Sequence, residues 1–304
     1  MTRTGAFPTQ PGQRHIMLFV VVVCCAFCSA AFAELKRPLD PIAAKIEPVR
    51  TVTYKQIGDR QLKLHVFEPD RHKSSDRRSA FVIFHGGGWT GGSPRRTYPF
   101  ADYFRKLGMV AISVEYRLLR KDSGVTVFDC VKDGRSAIRY VRQHAEELGV
   151  DPQGIVVAGC SAGGHVAAAT ALFDGIDEAS DDVDVSSVPN SVVLYYPVID
   201  TSAGGYGQQK IGAAWKQLSP VDHVRSNLPP TLHFHGTADT VTPYAGAAEF
   251  HRRMEKSGNV CELVSHEGGV HGHLIFDLKL FESSMKRTRE FLATHGFLSD
   301  DVNP

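Results

Sequence analysis

Short, almost wholly apolar runs alternate along this chain with longer stretches in which apolar residues return every three or four positions. Ala80-Phe81-Val82-Ile83-Phe84, Met109 to Val114, Ile155 to Ala158 and Ser191 to Tyr196 have strand length and little polar character, as strands covered on both faces of a parallel sheet require. Thr231 to Phe234 and Cys261 to Ser265 read as two more strands. Helical spacing marks Tyr98 to Leu107, stopped by Gly108, and Phe128 to Leu148, stopped by Gly149, with Val131, Ala137, Ile138, Val141, Ala145 and Leu148 on one face. Ala245 to Lys256 and a closing helix from Ile275 to His295 follow the same rule. Upstream, a proline-rich, extended lead-in (Leu35 to Pro48) precedes a hairpin of Val49 to Tyr54 and Leu62 to Glu68 turning at Gly58-Asp59, and a charged loop (Asp70 to Ser79) follows. Strand and helix therefore alternate, which predicts an α/β fold: a mostly parallel central sheet flanked by crossover helices. There is no internal repeat and no second core, so residues 34–304 are expected to form one domain, with a small cap insertion at about 200–220 carrying Tyr206 and Trp215.

The first 33 residues follow a different pattern. Arg3 and Arg14 precede an unbroken apolar run from Ile16 to Phe27, and Ala31-Phe32-Ala33 stands just before Glu34. This is the pattern of a secretory signal peptide cleaved after Ala33; the run is shorter than the roughly 20 residues that span a bilayer. The mature chain is thus expected to be secreted or periplasmic, with no stable membrane span. It would lose Cys24, Cys25 and Cys28 and keep Cys130, Cys160 and Cys261, an odd set that gives no disulfide framework. A formal net charge of +1 offers nothing to attract nucleic acid. No cysteine and histidine cluster has zinc spacing, and neither metal nor cofactor is expected. Asp174 to Asp184 holds many acids and no base; its spacing is not that of an EF-hand loop, so it is expected to be a solvated surface insertion.

The candidate chemistry begins at Gly159-Cys160-Ser161-Ala162-Gly163-Gly164-His165. The apolar run Ile155 to Ala158 leads into a Gly-x-Ser-x-Gly, and the alanine-rich, helix-forming run Val166 to Leu172 follows. Strand, sharp turn and helix in that order form a nucleophile elbow, which presents Ser161 above the sheet edge and directs the N–H of Ala162 to where an oxyanion would form. A serine hydroxyl needs a base within hydrogen-bond reach, and the base needs a carboxylate to fix its tautomer. In such a sheet both follow the serine, on loops after later strands. Asp239, after Thr231 to Phe234, is the candidate acid, with Asp200 its rival; His271, flanked by glycines, is the candidate base, with His266 and His273 nearby. Cys160 and the pair His233 and His235 read as packed or hydrogen-bonded residues. Upstream, His85-Gly86-Gly87-Gly88-Trp89 ends a central strand, where glycines allow close backbone approach to a ligand.

Together these residues resemble the α/β-hydrolase superfamily, in the esterase/lipase branch related to hormone-sensitive lipase and to bacterial feruloyl and acetyl-xylan-type esterases. The resemblance rests on His85 to Trp89, Glu115-Tyr116-Arg117-Leu118, Gly159 to Gly164, Gly236 to Pro243 and His271-Gly272. It implies Ser161 as nucleophile, His271 as general base and then acid, Asp239 as its orienter, and the N–H groups of Gly87, Gly88 and Ala162 as oxyanion donors. Trp89 stands where lipase-like members often carry Phe, which favours the feruloyl and acetyl esterase side; His273 stands where an aromatic residue usually follows His-Gly. The implied function is a secreted serine carboxylesterase for small acyl groups, acetyl or feruloyl on a carbohydrate. An amidase or peptidase of the same fold, or a binding protein on the hydrolase scaffold, are the alternatives.

Overall fold

The structure is a computed structural model, and it describes residues 37–298. The expected signal peptide lies outside the described residues. The elements run β1 (Arg50–Ile57), β2 (Arg60–Phe67), β3 (Arg78–Phe84), β4 (Val110–Val114), β5 (Val150–Cys160), β6 (Ser191–Tyr195), β7 (Thr231–Gly236) and β8 (Cys261–His266). The helices are α1 (Leu39–Ala43), α2 (Tyr98–Lys106), α3 (Val127–Gln143), α4 (Ala145–Leu148), α5 (Ala162–Leu172), α6 (Gln208–Ile211), α7 (Tyr244–Lys256), α8 (His273–Phe276) and α9 (Leu278–Thr294). All eight strands join in one sheet of order β1-β2-β4-β3-β5-β6-β7-β8. The β1/β2 and β2/β4 pairs are antiparallel and every later pair is parallel.

Side-chain alternation along the strands builds a core on each face. Val82, Phe84, Ile155 and Val157 pack toward α3 and α5, while Phe81, Ile83, Val156 and Ala158 pack toward α2 and α9. β3 and β5 are neighbours, yet the chain leaves β3 through α2 on one face and leaves β5 through α5 on the other. A crevice opens at their carboxyl ends, the topological switch point where open α/β sheets hold ligands. Both glycine motifs of the sequence lie there.

Several elements differ from the periodicity. The lead-in is not wholly extended, because Leu39–Ala43 forms a helical turn that buries Leu39 and Ala43. The single helix expected over Phe128 to Leu148 breaks at His144 into α3 and α4, and Gly149, at a left-handed φ of 63°, ends α4. The closing helix is interrupted at Asp277, which leaves helical geometry and accepts hydrogen bonds from the N–H groups of Lys279 and Leu280 to start α9.

The acidic stretch 174–184 is not simply solvated. Asp177 accepts from Arg135 and Arg139 (2.7 Å each), and Asp181 pairs with Arg139 at 3.1 Å. Glu178 pairs with Lys55 at 3.0 Å and with Arg117 at 2.7 Å. At the centre is Asp133, fully buried, whose carboxylate takes Lys55 Nζ at 2.7 Å and Arg117 through Nε and Nη2 at 2.8 Å each. The acids are the counter-charges of cations on α3, β1 and the segment after β4, and among the described residues no group of acids, cysteines and histidines is placed to hold a metal. Replacing Asp133 with Ala strips two buried cations of their shared acceptor, so the free energy of unfolding in urea is expected to fall by about 3 kcal/mol; a loss under about 1 kcal/mol would show the cluster to be solvated instead.

Candidate active site

The turn between β5 and α5 leaves no room for side chains. A Cβ at Gly159 would stand 2.1 Å from the Gly163 carbonyl oxygen, and one at Gly163 would stand 2.2 Å from the Phe84 carbonyl oxygen. Strand β3, strand β5 and helix α5 therefore meet backbone to backbone. Ser161 sits between them at φ 54° and ψ −120°, a conformation costly to any residue with a Cβ and held only because its surroundings over-determine it.

Ser161 Oγ lies 2.9 Å from His271 Nε2, and His271 Nδ1 lies 2.8 Å from Asp239 Oδ2. A carboxylate can only accept, so Nδ1 carries the proton and Nε2 presents its lone pair to the serine hydroxyl. Asp239 is itself fixed: Oδ1 accepts from the N–H groups of Val241 (2.9 Å) and Thr242 (2.8 Å), and Oδ2 accepts from the Thr242 hydroxyl (2.9 Å). Burial pushes this carboxyl up, but the His271 hydrogen bond and charge and the two N–H donors outweigh it and hold the group below the usual carboxylate range.

The rival residues have other tasks. Asp200 shapes the start of the insertion, its carboxylate accepting from Ser202 N–H at 2.7 Å. His266 and His273 stack on each other at 5.0 Å, and burial lowers His273 to about 4. His233 Nε2 and His235 Nδ1 are 3.1 Å apart, and His235 Nε2 donates to the Thr242 carbonyl at 2.7 Å, which steadies the loop carrying Asp239. Burial raises the Cys160 thiol to about 12, an inert neighbour to the serine.

The glycine loop after β3 is tied back by its carbonyl groups. Tyr116 Oη donates to the His85 carbonyl (2.7 Å), Thr90 and Gly91 N–H groups to that of Gly87 (3.1 and 3.0 Å), Lys210 Nζ to that of Gly88 (3.0 Å), and Leu119 N–H to that of Trp89 (2.8 Å). The N–H groups of Gly87, Gly88 and Ala162 have no acceptor among the described residues. Gly87 and Gly88 line the pocket that holds Ser161 and His271, a cavity of about 310 Å³.

Lys210 and Tyr196 lie in none of the sequence motifs. Tyr196, in left-handed backbone at φ 39°, stands edge-on to His271 with ring centres 5.1 Å apart. Tyr116, inside Glu115-Tyr116-Arg117-Leu118, and Thr242, inside Gly236 to Pro243, do lie in motifs. The insertion after β6 contributes Tyr206 to the pocket wall and Lys210 to its rim.

A family model described as alpha/beta hydrolase fold matches residues 81–275. The chain belongs to that family. Within the α/β-hydrolase fold it lies in the esterase/lipase branch, as its relatives show. Thermogutta terrifontis esterase 2 in its apo form superposes with a TM-score of 0.79 at 42% identity, over 83% of this chain and 96% of that one. A butyrate-bound structure of the same enzyme gives 0.78 at 41% identity over the same shares. A probable isoprenylcysteine alpha-carbonyl methylesterase of Arabidopsis thaliana is 25% identical over 74% of this chain and 51% of its own length. An acetylxylan esterase of Xylanibacter ruminicola is 27% identical, over 64% of this chain and 40% of its own. The chain thus spans about half the length, or less, of these curated relatives.

Two buried histidines brace the site and set an acid limit on the fold. His85 stacks on Tyr116 at 4.5 Å, His165 on α5 bonds to the Leu218 carbonyl at 2.7 Å, and burial lowers each to about 4. Unfolded imidazoles titrate near 6.5, so between pH 6.5 and 4 the unfolded chain binds more protons. The stability these groups contribute is complete above pH 6.5 and is lost as pH falls toward 4, by on the order of 3 kcal/mol for each. Asp239, with its lowered carboxyl, adds a loss of the same sign at lower pH. Urea midpoints measured from pH 7 to 4 are expected to drop steadily; a flat profile would count against buried neutral imidazoles.

Proposed function

We propose that this member of the family is a carboxylic ester hydrolase working through Ser161, His271 and Asp239. The carrying observation is the unbroken hydrogen-bonded series from the Ser161 hydroxyl to the Asp239 carboxylate, facing three unengaged N–H groups. Ser161 Oγ attacks the ester carbonyl carbon as its proton passes to His271 Nε2, and the carbonyl oxygen becomes an oxyanion held by Gly87, Gly88 and Ala162 N–H. The C–O bond to the alcohol breaks, and the alcohol departs with the Nε2 proton. A water then gives its proton to Nε2 and attacks the acyl carbon, releasing the acid and restoring the serine. Asp239 keeps the Nδ1 proton in place throughout and stabilises the imidazolium.

A small acyl group suits a cavity walled by Phe100, Ile275 and Phe276. The relatives named for butyrate binding and for acetylxylan support short acyl esters, with acetyl or feruloyl groups on carbohydrates as the natural setting. Ser161→Ala is expected to lower turnover of p-nitrophenyl butyrate by roughly four to six orders of magnitude, and Asp239→Asn by roughly 10⁴-fold. Thermogutta terrifontis esterase 2 has been solved phosphorylated by paraoxon. Paraoxon should likewise add to Ser161 here, seen as a mass shift on its peptide. A Ser161→Ala protein that keeps more than about a tenth of its activity would remove the serine from the mechanism, and turnover of a matched amide faster than the ester would favour the amidase reading.

We also propose that residues 1–33 direct export and are cleaved after Ala33, which the arginines, apolar run and small residues support. Amino-terminal sequencing of the exported chain should begin at Glu34; an intact amino terminus overturns this.

A further inference from the structure

Among the described residues, the pocket that holds Ser161 is lined by two arginines, Arg37 and Arg96, and by no acidic side chain. The reaction proposed above gives neither a task. Arg96 is exposed and makes no side-chain hydrogen bond or ion pair among the described residues, while its backbone is fixed in the 3-10 turn Pro94–Thr97. Arg37 has a buried Nε without a hydrogen-bond partner; among the described residues it has a long ion pair with Asp40, at 3.7 Å, whose side chain is more than half exposed. Glu47 pairs with Arg95 at 2.9 Å and with neither pocket arginine among the described residues. Both arginines line the same cavity as Tyr196, whose ring stands edge-on to that of His271 with centres 5.1 Å apart. Lys210 places a third cation at the rim, bound to Gly88 and Tyr206. A guanidinium whose Nε is buried without an acceptor, as in Arg37, gains a hydrogen bond from a bound anion, and the planar fork of either arginine suits a carboxylate.

We infer that the preferred substrate is an ester bearing a carboxylate, which Arg37 and Arg96 receive while its ester carbonyl lies at Ser161. This deepens the proposed esterase reading and rests on it. The carboxylate can belong to the acyl part or to the alcohol part, and two matched pairs of substrates separate these sources. Monophenyl adipate against its methyl ester places the charge on the acyl side. 3-Acetoxybenzoate against its methyl ester places it on the alcohol side. With rates normalised to alkaline hydrolysis, one pair is expected to show kcat/KM about tenfold higher for the anion at low salt. That preference should shrink as salt is raised to about 0.5 M, where screening reaches roughly 4 Å. In the Arg37→Gln, Arg96→Gln double variant the anion-to-neutral ratio should fall to near one. Turnover of neutral esters with no anionic preference in either pair overturns this inference and leaves the esterase intact, as does a preference that survives in the double variant. Should no ester of either kind be hydrolysed and paraoxon leave Ser161 unmodified, the esterase reading itself falls, and this inference with it. The wild-type ratio and its salt dependence decide the matter even if the double variant fails to fold.

Discussion

Everything in the site depends on one steric constraint, the contact of backbone with backbone where β3, β5 and α5 converge. Gly159 faces the Gly163 carbonyl, and Gly163 faces the carbonyls of Phe84 and His85, at distances that exclude any Cβ. Ser161 and the glycine loop are thereby fixed to each other by peptide groups, which have far less freedom than side chains. The strained φ of Ser161 follows from the same closeness, because a relaxed turn would separate strand from helix. Pre-organisation of this kind is what allows fixed N–H groups to stabilise a developing charge without reorganising.

Around that centre, each mobile part is tied to something more rigid. The carbonyls of the glycine loop are held by Tyr116, Leu119 and Lys210, which come from the segment after β4 and from the insertion after β6. Arg117, next to Tyr116, is anchored by Asp133 in the buried charge cluster. The acidic segment, remote from the chemistry, thus stabilises the same stretch that positions the loop. On the other side, Thr242 holds Asp239 by both N–H and hydroxyl, and His235 holds Thr242. Neutral histidines suit these inner positions, since a protonated imidazole there would bring an unpaired charge into the core.

The pocket joins two kinds of electrostatics. In the reaction and specificity proposed above, oriented N–H groups act on charge that exists only during the reaction, whereas Arg37 and Arg96 act on charge already present in a ligand. On that proposal the first set governs the height of the barrier and the second the choice of molecule, so both can be built into one cavity without conflict.

Much of this was legible in the chain. Apolar run length gave the parallel strands, and the glycine spacing about Ser161 specified the elbow, because each is a local consequence of backbone sterics and side-chain burial. The rule that partners follow the nucleophile at later strand ends narrowed the acid and base to a few candidates. Choosing His271 over His266 and His273, and Asp239 over Asp200, was a tertiary decision: the loop directions after β7 and β8 set which ring reaches the serine, and those depend on strands distant in sequence. The breaks at His144 and Asp277 escaped periodicity, since an apolar stripe continues across a kink. The acidic stretch misled for a related reason. Local composition counts its charges but cannot know that Arg117, Arg135 and Arg139 fold against Asp177, Glu178 and Asp181, and only packing turns part of a solvated run into a half-buried ion-pair cluster.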